Sequence, residues 1–151
     1  MNKRQGFTLL EVLVSATIIA VLTTIGLVSF SSVNKRSRDV KRKGDLEQIR
    51  SALEMYRSDN STYPGEYPRV VGAGAFADAA GLSAALVTGS YMPSIPADPN
   101  EDNAYYYQTT ATSGQYTSYC ICAHLETLPA GTTQSTCTSI HSSCNYGLKN
   151  P

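Results

Sequence analysis

An apolar segment near the N-terminus sets the strongest limit on how this chain can fold. Residues 7–33 contain no Lys, Arg or Asp. As an α-helix they would extend roughly 40 Å, which is enough to cross a bilayer core of about 30 Å. The segment nevertheless contains one carboxylate, Glu11, where a charge costs on the order of 2.5 to 3.5 kcal/mol. The sequence therefore predicts a membrane helix with an acidic residue that needs a positively charged partner.

The stretch around this carboxylate joins a basic hexapeptide to the apolar run, and it reads Lys3-Arg4-Gln5-Gly6-Phe7-Thr8-Leu9-Leu10-Glu11. It resembles the N-terminal segment of type IV pilins and of the pseudopilins of type II secretion, with matches at Gly6, Phe7, Thr8, Leu9 and Glu11. The resemblance implies that a prepilin peptidase removes residues 1–6 as a leader by cleaving after Gly6, and that Phe7 is then N-methylated. Glu11, one helical turn away, would neutralise the Phe7 amine of a neighbouring subunit in a low dielectric.

Two simpler interpretations of the N-terminus are less satisfactory. A secretory signal peptide has an apolar run of only about 7 to 15 residues, and a plain membrane anchor leaves Gly6, Phe7 and Glu11 unexplained. The positive-inside rule favours the opposite orientation, because it would place the larger basic cluster, residues 35–43, in the cytoplasm. The resemblance instead implies a single-pass membrane protein with its C-terminal part outside the cytoplasm, and later an extracellular or periplasmic filament.

The rest of the chain has room for one small domain, since about 118 residues follow the anchor. Its charge is uneven: residues 1–57 hold 10 of the 12 basic residues and five acids, whereas residues 58–151 hold two bases and seven acids. Such asymmetry favours contacts between subunits or between residues 35–43 and anionic lipid head groups. We expect residues 34–58 to continue the membrane helix as an amphipathic half, with an apolar stripe at Leu46, Ile49, Leu53 and Tyr56. On its exposed face we expect ion pairs of Lys43 with Asp39 and Glu47.

The remaining elements are a connector at 59–103 and a β-hairpin followed by a cysteine-rich region at 104–151. In the connector we expect a short helix over 82–87 closed by Gly89. Tyr- and Thr-rich residues 104–110 and 116–125 predict antiparallel strands, and the apolar face of the second should pack on the helix. That face holds Tyr119, Ile121, Ala123 and Leu125. The order of Tyr63-Pro64, Ile95-Pro96-Ala97-Asp98-Pro99 and Tyr105-Tyr106-Tyr107 is similar to that of the major pseudopilins. The expected class is α+β with a type IV pilin-like fold: a long helix against a small antiparallel sheet, and a disulfide-held tail.

Four cysteines lie in the last 32 residues, at positions Cys120, Cys122, Cys137 and Cys144. An even number in an exported region predicts disulfides. Three connectivities exist, and a bond within Cys-x-Cys would lie at the upper edge of normal geometry. We therefore expect each cysteine of the first pair to bond to the tail, and we favour Cys122–Cys137 with Cys120–Cys144. A zinc site is the competing interpretation, with candidate ligands Cys120, Cys122, His124, His141 and Cys144, although Cys-x-Cys departs from the usual ligand spacing.

No cofactor and no catalytic site are expected, because the sequence contains no legible nucleophile–base arrangement and no phosphate-binding glycine loop. Secretion-type relatives carry a calcium site in their later loops, but here no Asp or Glu follows Glu126. Asp98, Glu101 and Asp102 are weak candidates for a hard cation, and a solvated acidic turn is the better interpretation.

The sequence thus predicts a structural filament subunit whose partners are a prepilin peptidase, other copies of itself and related pilins, and a membrane assembly platform. A minor tip pilin with an adhesive or DNA-uptake role is the alternative, and a membrane-anchored metal-binding protein is a further one. We expect no nucleic-acid binding by a major subunit, because the acidic C-terminal part lacks clustered Lys or Arg.

Overall fold

The structure, a computed structural model, describes residues 6–65, 82–100, 102–129, 132, 137 and 140–150, without the side chains of 27–29. The chain divides into an N-terminal unit, Met1–Arg36, and a C-terminal unit, Ser37–Pro151. Residues 66–81 of the predicted connector and Glu101 lie outside the described residues.

Helix α1, Leu9–Asn60, contributes residues to both units. In the N-terminal unit its apolar side chains are exposed, and among the described residues α1 is the one helix long and apolar enough to cross a membrane. The helix ends two residues later than the expected 58. Ser61 stops it with a φ of 60° while its N–H still donates to the Arg57 carbonyl oxygen at 2.8 Å.

The C-terminal unit contains a three-stranded antiparallel sheet in the order β1-β2-β3. Its strands are β1, Tyr106–Thr112, β2, Gln115–Ala123, and β3, Tyr146–Lys149. The predicted hairpin is present, but its loop is the two-residue turn Ser113-Gly114 rather than residues 111–115. Both turn residues have positive φ, 54° and 82°, which suits the twist of a tight hairpin. Strand β3 was not predicted, because four residues are too short for a clear alternating pattern.

The core lies between one face of α1 and one face of the sheet. The predicted helix stripe is confirmed, since Leu46, Ile49 and Leu53 are fully buried. They pack in one cluster with Tyr105, Tyr107, Tyr119, Ile121 and Ala123 from the sheet side. Burial of each such large side chain stabilises the fold by about 1.5 to 3 kcal/mol.

The expected short helix is present in a different form. Residues 82–83 are helical and Ala84–Thr88 form a π-helix. Gly89 follows with a φ of −72° rather than the left-handed conformation of a glycine cap. Its role is close packing, because a Cβ at this position would lie 2.4 Å from the Ala85 carbonyl oxygen and 2.6 Å from the Tyr91 ring.

Candidate functional site

The N-terminal end of α1 holds Glu11 in a reciprocal contact with Thr8. The Glu11 carboxylate accepts hydrogen bonds from the Thr8 backbone N–H and from the Thr8 hydroxyl, both at 2.8 Å. The Glu11 N–H in turn donates to the Thr8 hydroxyl oxygen at 3.3 Å. This is a capping box, which satisfies backbone donors that the first turn of a helix leaves unpaired. The Thr-x-x-Glu spacing was available in the sequence, but we did not single it out.

Beyond Glu11, the described side chains of residues 12–33 present a mostly apolar surface. Phe7 is 90% exposed and Phe30 is 66% exposed. Four of the hydroxyls on this surface, those of Ser15, Thr17, Thr23 and Thr24, donate to carbonyl oxygens of the preceding helical turn at 2.7 to 2.8 Å. A helix whose hydroxyl donors are satisfied internally can contact lipid or another helix without leaving polar groups unpaired.

In the C-terminal unit, a buried guanidinium joins three distant parts of the chain. Arg42 is fully buried and donates from Nε and Nη2 to the two carboxylate oxygens of Asp98, each at 2.8 Å. Its Nη1 donates to Asp39 and to Glu126, also at 2.8 Å. We call Arg42 with these three carboxylates the arginine clamp, because it ties α1 to the segment before β1 and to the loop after β2.

The clamp corrects the ion pairing predicted for this part of α1. Asp39 is buried rather than exposed, and its carboxylate accepts the backbone N–H groups of Glu126 and Thr127 at 2.9 Å. The Lys43 amine lies 5.2 Å from the centroid of the Tyr146 ring. Glu47 pairs with Arg50 at 2.9 Å. The expected exposed pair of Asp39 with Lys43 is therefore wrong.

Titration of the clamp reflects its hydrogen bonds. Hydrogen bonds from the Arg38 guanidinium lower the pKa of Glu126. Burial opposes this effect and the hydrogen bond from Arg42 adds to it, so the pKa falls from 4.5 to about 2. Burial alone would raise the pKa of Asp39, but hydrogen bonds from Thr127, from backbone N–H groups and from Arg42 lower it overall. For Arg42, burial alone would lower the pKa, but the hydrogen bonds to Asp98 and Glu126 outweigh burial and raise the pKa above its ordinary value. All of these groups are thus held in their charged forms at neutral pH.

Buried tyrosines bring a second set of helix carboxylates into contact with the sheet. The Tyr105 hydroxyl donates to Asp45 at 2.7 Å, and the hydroxyls of Tyr63 and Tyr119 donate to Glu54 at 3.0 Å. Burial, and then the neighbouring Asp45, raise the pKa of Tyr105 well above its ordinary value. These bonds satisfy polar groups that would otherwise be costly inside the core.

The disulfides link Cys120 to Cys137 and Cys122 to Cys144, so the pairing favoured from the sequence is wrong. The reason is the direction of β3. It pairs antiparallel to β2 with Tyr146 opposite Ala123, which brings Cys144 back beside the end of β2 that holds Cys122. Cys137, earlier in the tail, is left for Cys120. Because β3 was not predicted, the direction in which the tail runs back along β2 could not be inferred from the sequence.

Among the predicted metal ligands, the four cysteines and Asp98 have other partners. All four cysteines are in disulfides, which removes the zinc interpretation. The Asp98 carboxylate is occupied by Arg42 and by the Asn100 N–H at 2.8 Å. Within the described ranges, no three His, Cys, Asp or Glu side chains group in a way that could hold a metal ion.

Comparison with protein families decides what kind of chain this is. Residues 1–27 match the prokaryotic N-terminal methylation motif, and residues 30–134 match the family of type II secretion system protein G. The chain belongs to the protein G family. Members of the protein G family are pseudopilins, so the predictions of a structural subunit and of a chain that is not an enzyme are confirmed.

Individual relatives of this protein G family chain agree with that assignment. The type II secretion system core protein G of Pseudomonas aeruginosa is 29% identical over 133 residues, which are 79% of this chain and 84% of that protein. The Vibrio cholerae core protein G is 36% identical over 64 residues, 42% of this chain and only 44% of that protein. The type IV wide pilus major component PilA4 of Thermus thermophilus is 24% identical over 77% of this chain and 88% of that protein. No solved structure shows significant similarity to this chain.

Proposed function

We propose that this chain is made as a precursor, cleaved after Gly6 by a prepilin peptidase, methylated at Phe7, and assembled from the membrane into a helical filament. Its C-terminal unit lies outside the cytoplasm before assembly. A membrane platform receives the subunit, and residues 7–33 leave the lipid to pack among the same residues of other copies. The observation that carries the proposal is Glu11, a carboxylate in an otherwise apolar segment that has only Thr8 as a side-chain partner among the described residues.

The contact with Thr8 stabilises the Glu11 carboxylate in the membrane before the subunit is assembled. Two hydrogen bonds at 2.8 Å partly replace the water that a carboxylate loses on insertion. Cleavage after Gly6 then creates a cationic amine at Phe7. Once the Phe7 amine of a neighbouring subunit reaches Glu11, the two opposite charges attract strongly in a low dielectric. A hydrogen bond between charged groups is also stronger than the bond from the Thr8 hydroxyl. The pairing fixes how far one subunit is displaced along its neighbour.

Amino-terminal sequencing and intact mass of the protein from membranes and from sheared filaments test the processing step. We expect a chain that begins at methylated Phe7 in both fractions. A chain that retains Met1, or one cleaved near residue 30, would contradict the processing step.

Substitutions at Glu11 and Thr8 separate charge from capping. Glu11→Gln keeps groups that can hydrogen-bond Thr8 but removes the charge, and we expect normal insertion and cleavage with filament yield reduced at least tenfold. Thr8→Val removes the hydroxyl bond and keeps the charge, so we expect a smaller loss. Ser15→Ala is the matched control, because the Ser15 hydroxyl bonds only to the Glu11 carbonyl oxygen. Normal filament yield from Glu11→Gln would disprove the charge role.

Immunogold labelling of intact filaments tests the position of the subunit in the filament. Labels along the whole shaft are expected for a major subunit of a secretion pseudopilus. The match of residues 30–134 to the protein G family supports this reading. Labels restricted to the tips would instead favour the minor adhesive or DNA-uptake subunit.

A further inference from the structure

Two positively charged side chains follow the apolar segment of α1. Lys35 and Arg36 are both exposed, and they are the first bases after residues 7–33. In the part of the chain that the structure describes, no carboxylate forms an ion pair with either of them. We call Lys35 and Arg36 the basic pair. The proposed function gives neither base a role.

The carboxylate nearest in the sequence to the basic pair is occupied elsewhere. Asp39 lies four positions after Lys35 and three after Arg36, the spacings at which a helix brings opposite charges together. Its side chain is nevertheless buried, and it accepts hydrogen bonds from Arg42 at 2.8 Å and from the Thr127 hydroxyl at 2.7 Å. Two backbone N–H groups at 2.9 Å complete its set of donors. Asp39 is therefore not available to neutralise the basic pair.

Most of the other bases of residues 35–43 also have partners inside the C-terminal unit. Arg38 and Arg42 form ion pairs with carboxylates, and the Lys43 amine lies over an aromatic ring. Lys41 is exposed as well, but it lies further from the apolar segment. The basic pair is thus the part of this stretch that combines an open charge with a position beside the membrane segment.

The distance from the start of α1 to the basic pair matches the thickness of a membrane. From Thr8, which caps α1, to Lys35 the helix extends roughly 40 Å at about 1.5 Å per residue. A bilayer measures about 40 to 45 Å when its head-group regions are included. With the Phe7 amine at the cytoplasmic head groups, the basic pair lies at the head groups of the opposite leaflet. Lys and Arg side chains near the end of a membrane helix extend towards this level.

We infer that, before the subunit is assembled, the basic pair binds the phosphate groups of anionic lipids in the leaflet that faces away from the cytoplasm. The inference rests on the proposed function, because that function places the C-terminal unit outside the cytoplasm. Each base close to an anionic lipid surface strengthens binding roughly fivefold. Contact at this level fixes the depth of residues 7–33 in the membrane. It also gives the two bases a role on the side of the membrane that the positive-inside rule disfavours.

Lipid titration of the full chain tests the inference. The chain in neutral detergent is titrated with phosphatidylglycerol or with phosphatidylcholine, and the bound lipids are counted by native mass spectrometry. We expect phosphatidylglycerol to bind at least tenfold more tightly, and this preference should fall as the salt concentration rises, because salt screens exposed charges. The double variant Lys35→Gln/Arg36→Gln should bind phosphatidylglycerol at least tenfold more weakly. Its unfolding temperature should not change, because both side chains are exposed.

The matched control is the double variant Arg50→Gln/Lys149→Gln, which removes two positive charges from the C-terminal unit. The Arg50 side chain is 40% exposed and Lys149 is exposed, so neither substitution opens the core. We expect this variant to keep the lipid preference of the parent chain. Equal binding of the two lipids by the parent chain would overturn the inference. An equal loss of binding in the two double variants would also overturn it, because net charge alone would then attract the lipid.

Filament yield distinguishes lipid from a protein partner. Parent-level binding of phosphatidylglycerol by Lys35→Gln/Arg36→Gln, together with a tenfold loss of filaments, would assign the basic pair to another protein and would overturn the inference. The lipid titration requires neither cleavage nor assembly, so the two levels of the argument can fail separately. A parent chain that is not cleaved after Gly6 or forms no filament would contradict the proposed function, and with it the placement of the basic pair in the outer leaflet.

Discussion

Arg42 is a cation without access to water, and its value to the fold depends on all three of its carboxylate partners. Replacement by Met keeps much of the side-chain volume but leaves Asp98 without a cationic partner and removes one charged hydrogen bond each from Asp39 and Glu126. Breaking a buried ion pair in this way typically costs about 3 to 5 kcal/mol. We expect Arg42→Met to lower the free energy of unfolding by that amount, measured by denaturant titration of the full chain in detergent.

The matched control for Arg42 is Arg50 on the same helix. Arg50 pairs with Glu47 at 2.9 Å, but their side chains are 40% and 48% exposed. Exposed pairs contribute about 0 to 1 kcal/mol, so Arg50→Met should change stability little. Equal effects of the two substitutions would mean that the arginine clamp is solvated rather than buried.

At the scale of single residues, the sequence was informative where a residue type conflicted with its surroundings. Glu11 in an apolar run is such a conflict, and it was recognised. The buried role of Arg42 was not recognised, because Arg42 belongs to a basic stretch that has the composition of a solvated surface. Its partners Asp98 and Glu126 lie 56 and 84 positions away, and no local pattern reports a contact over that separation.

Among the elements, the tail with β3 depends most on covalent bonds. Its two disulfides close loops with sequence separations of 17 and 22 residues, and each is expected to contribute about 2 to 4 kcal/mol. The double variant Cys120→Ser/Cys137→Ser should retain the other disulfide and show no alkylatable thiol. The double variant Cys122→Ser/Cys137→Ser should expose two thiols, because it breaks both native bonds. Alkylation followed by intact mass distinguishes them, and the opposite pattern would restore the pairing that we first favoured.

Elements with a long periodic signal were predictable, whereas strand β3 and the π form of the short helix were not. The 3.6-residue spacing of Leu46, Ile49 and Leu53 identified α1, and alternation over Tyr119, Ile121 and Ala123 identified β2. Strand β3 and the π-helix Ala84–Thr88 have only four and five residues. Strand β3 is fixed by its pairing with the distant strand β2, and the π-helix is closed by the Tyr91 N–H bond to the Leu86 carbonyl oxygen at 2.9 Å.

The stability of the whole C-terminal unit should depend on pH in the acid range. The folded-state pKa of Glu126 is about 2, below its ordinary value of 4.5. Ionised Glu126 therefore stabilises the fold fully above pH 4.5, and this contribution is lost as the pH falls towards 2. The lowered pKa of Asp39 acts in the same direction. We expect the free energy of unfolding to decline from pH 4.5 to pH 2, and Glu126→Gln should flatten part of that decline. A parent chain whose stability does not change across this range would contradict the assigned role of Glu126.

The tight turn between β1 and β2 has a practical consequence for following this molecule in cells. Residues 111–115 are exposed, and a Cβ at Gly114 would meet nothing within 4 Å. The core cluster draws on β1 and β2 at Tyr107, Tyr119, Ile121 and Ala123, and it includes none of residues 111–115. Extra residues between Ser113 and Gly114 would lengthen an exposed loop at a small entropic cost. An epitope or fluorophore tag carried at this tip would let single subunits be tracked from membrane to fibre by microscopy.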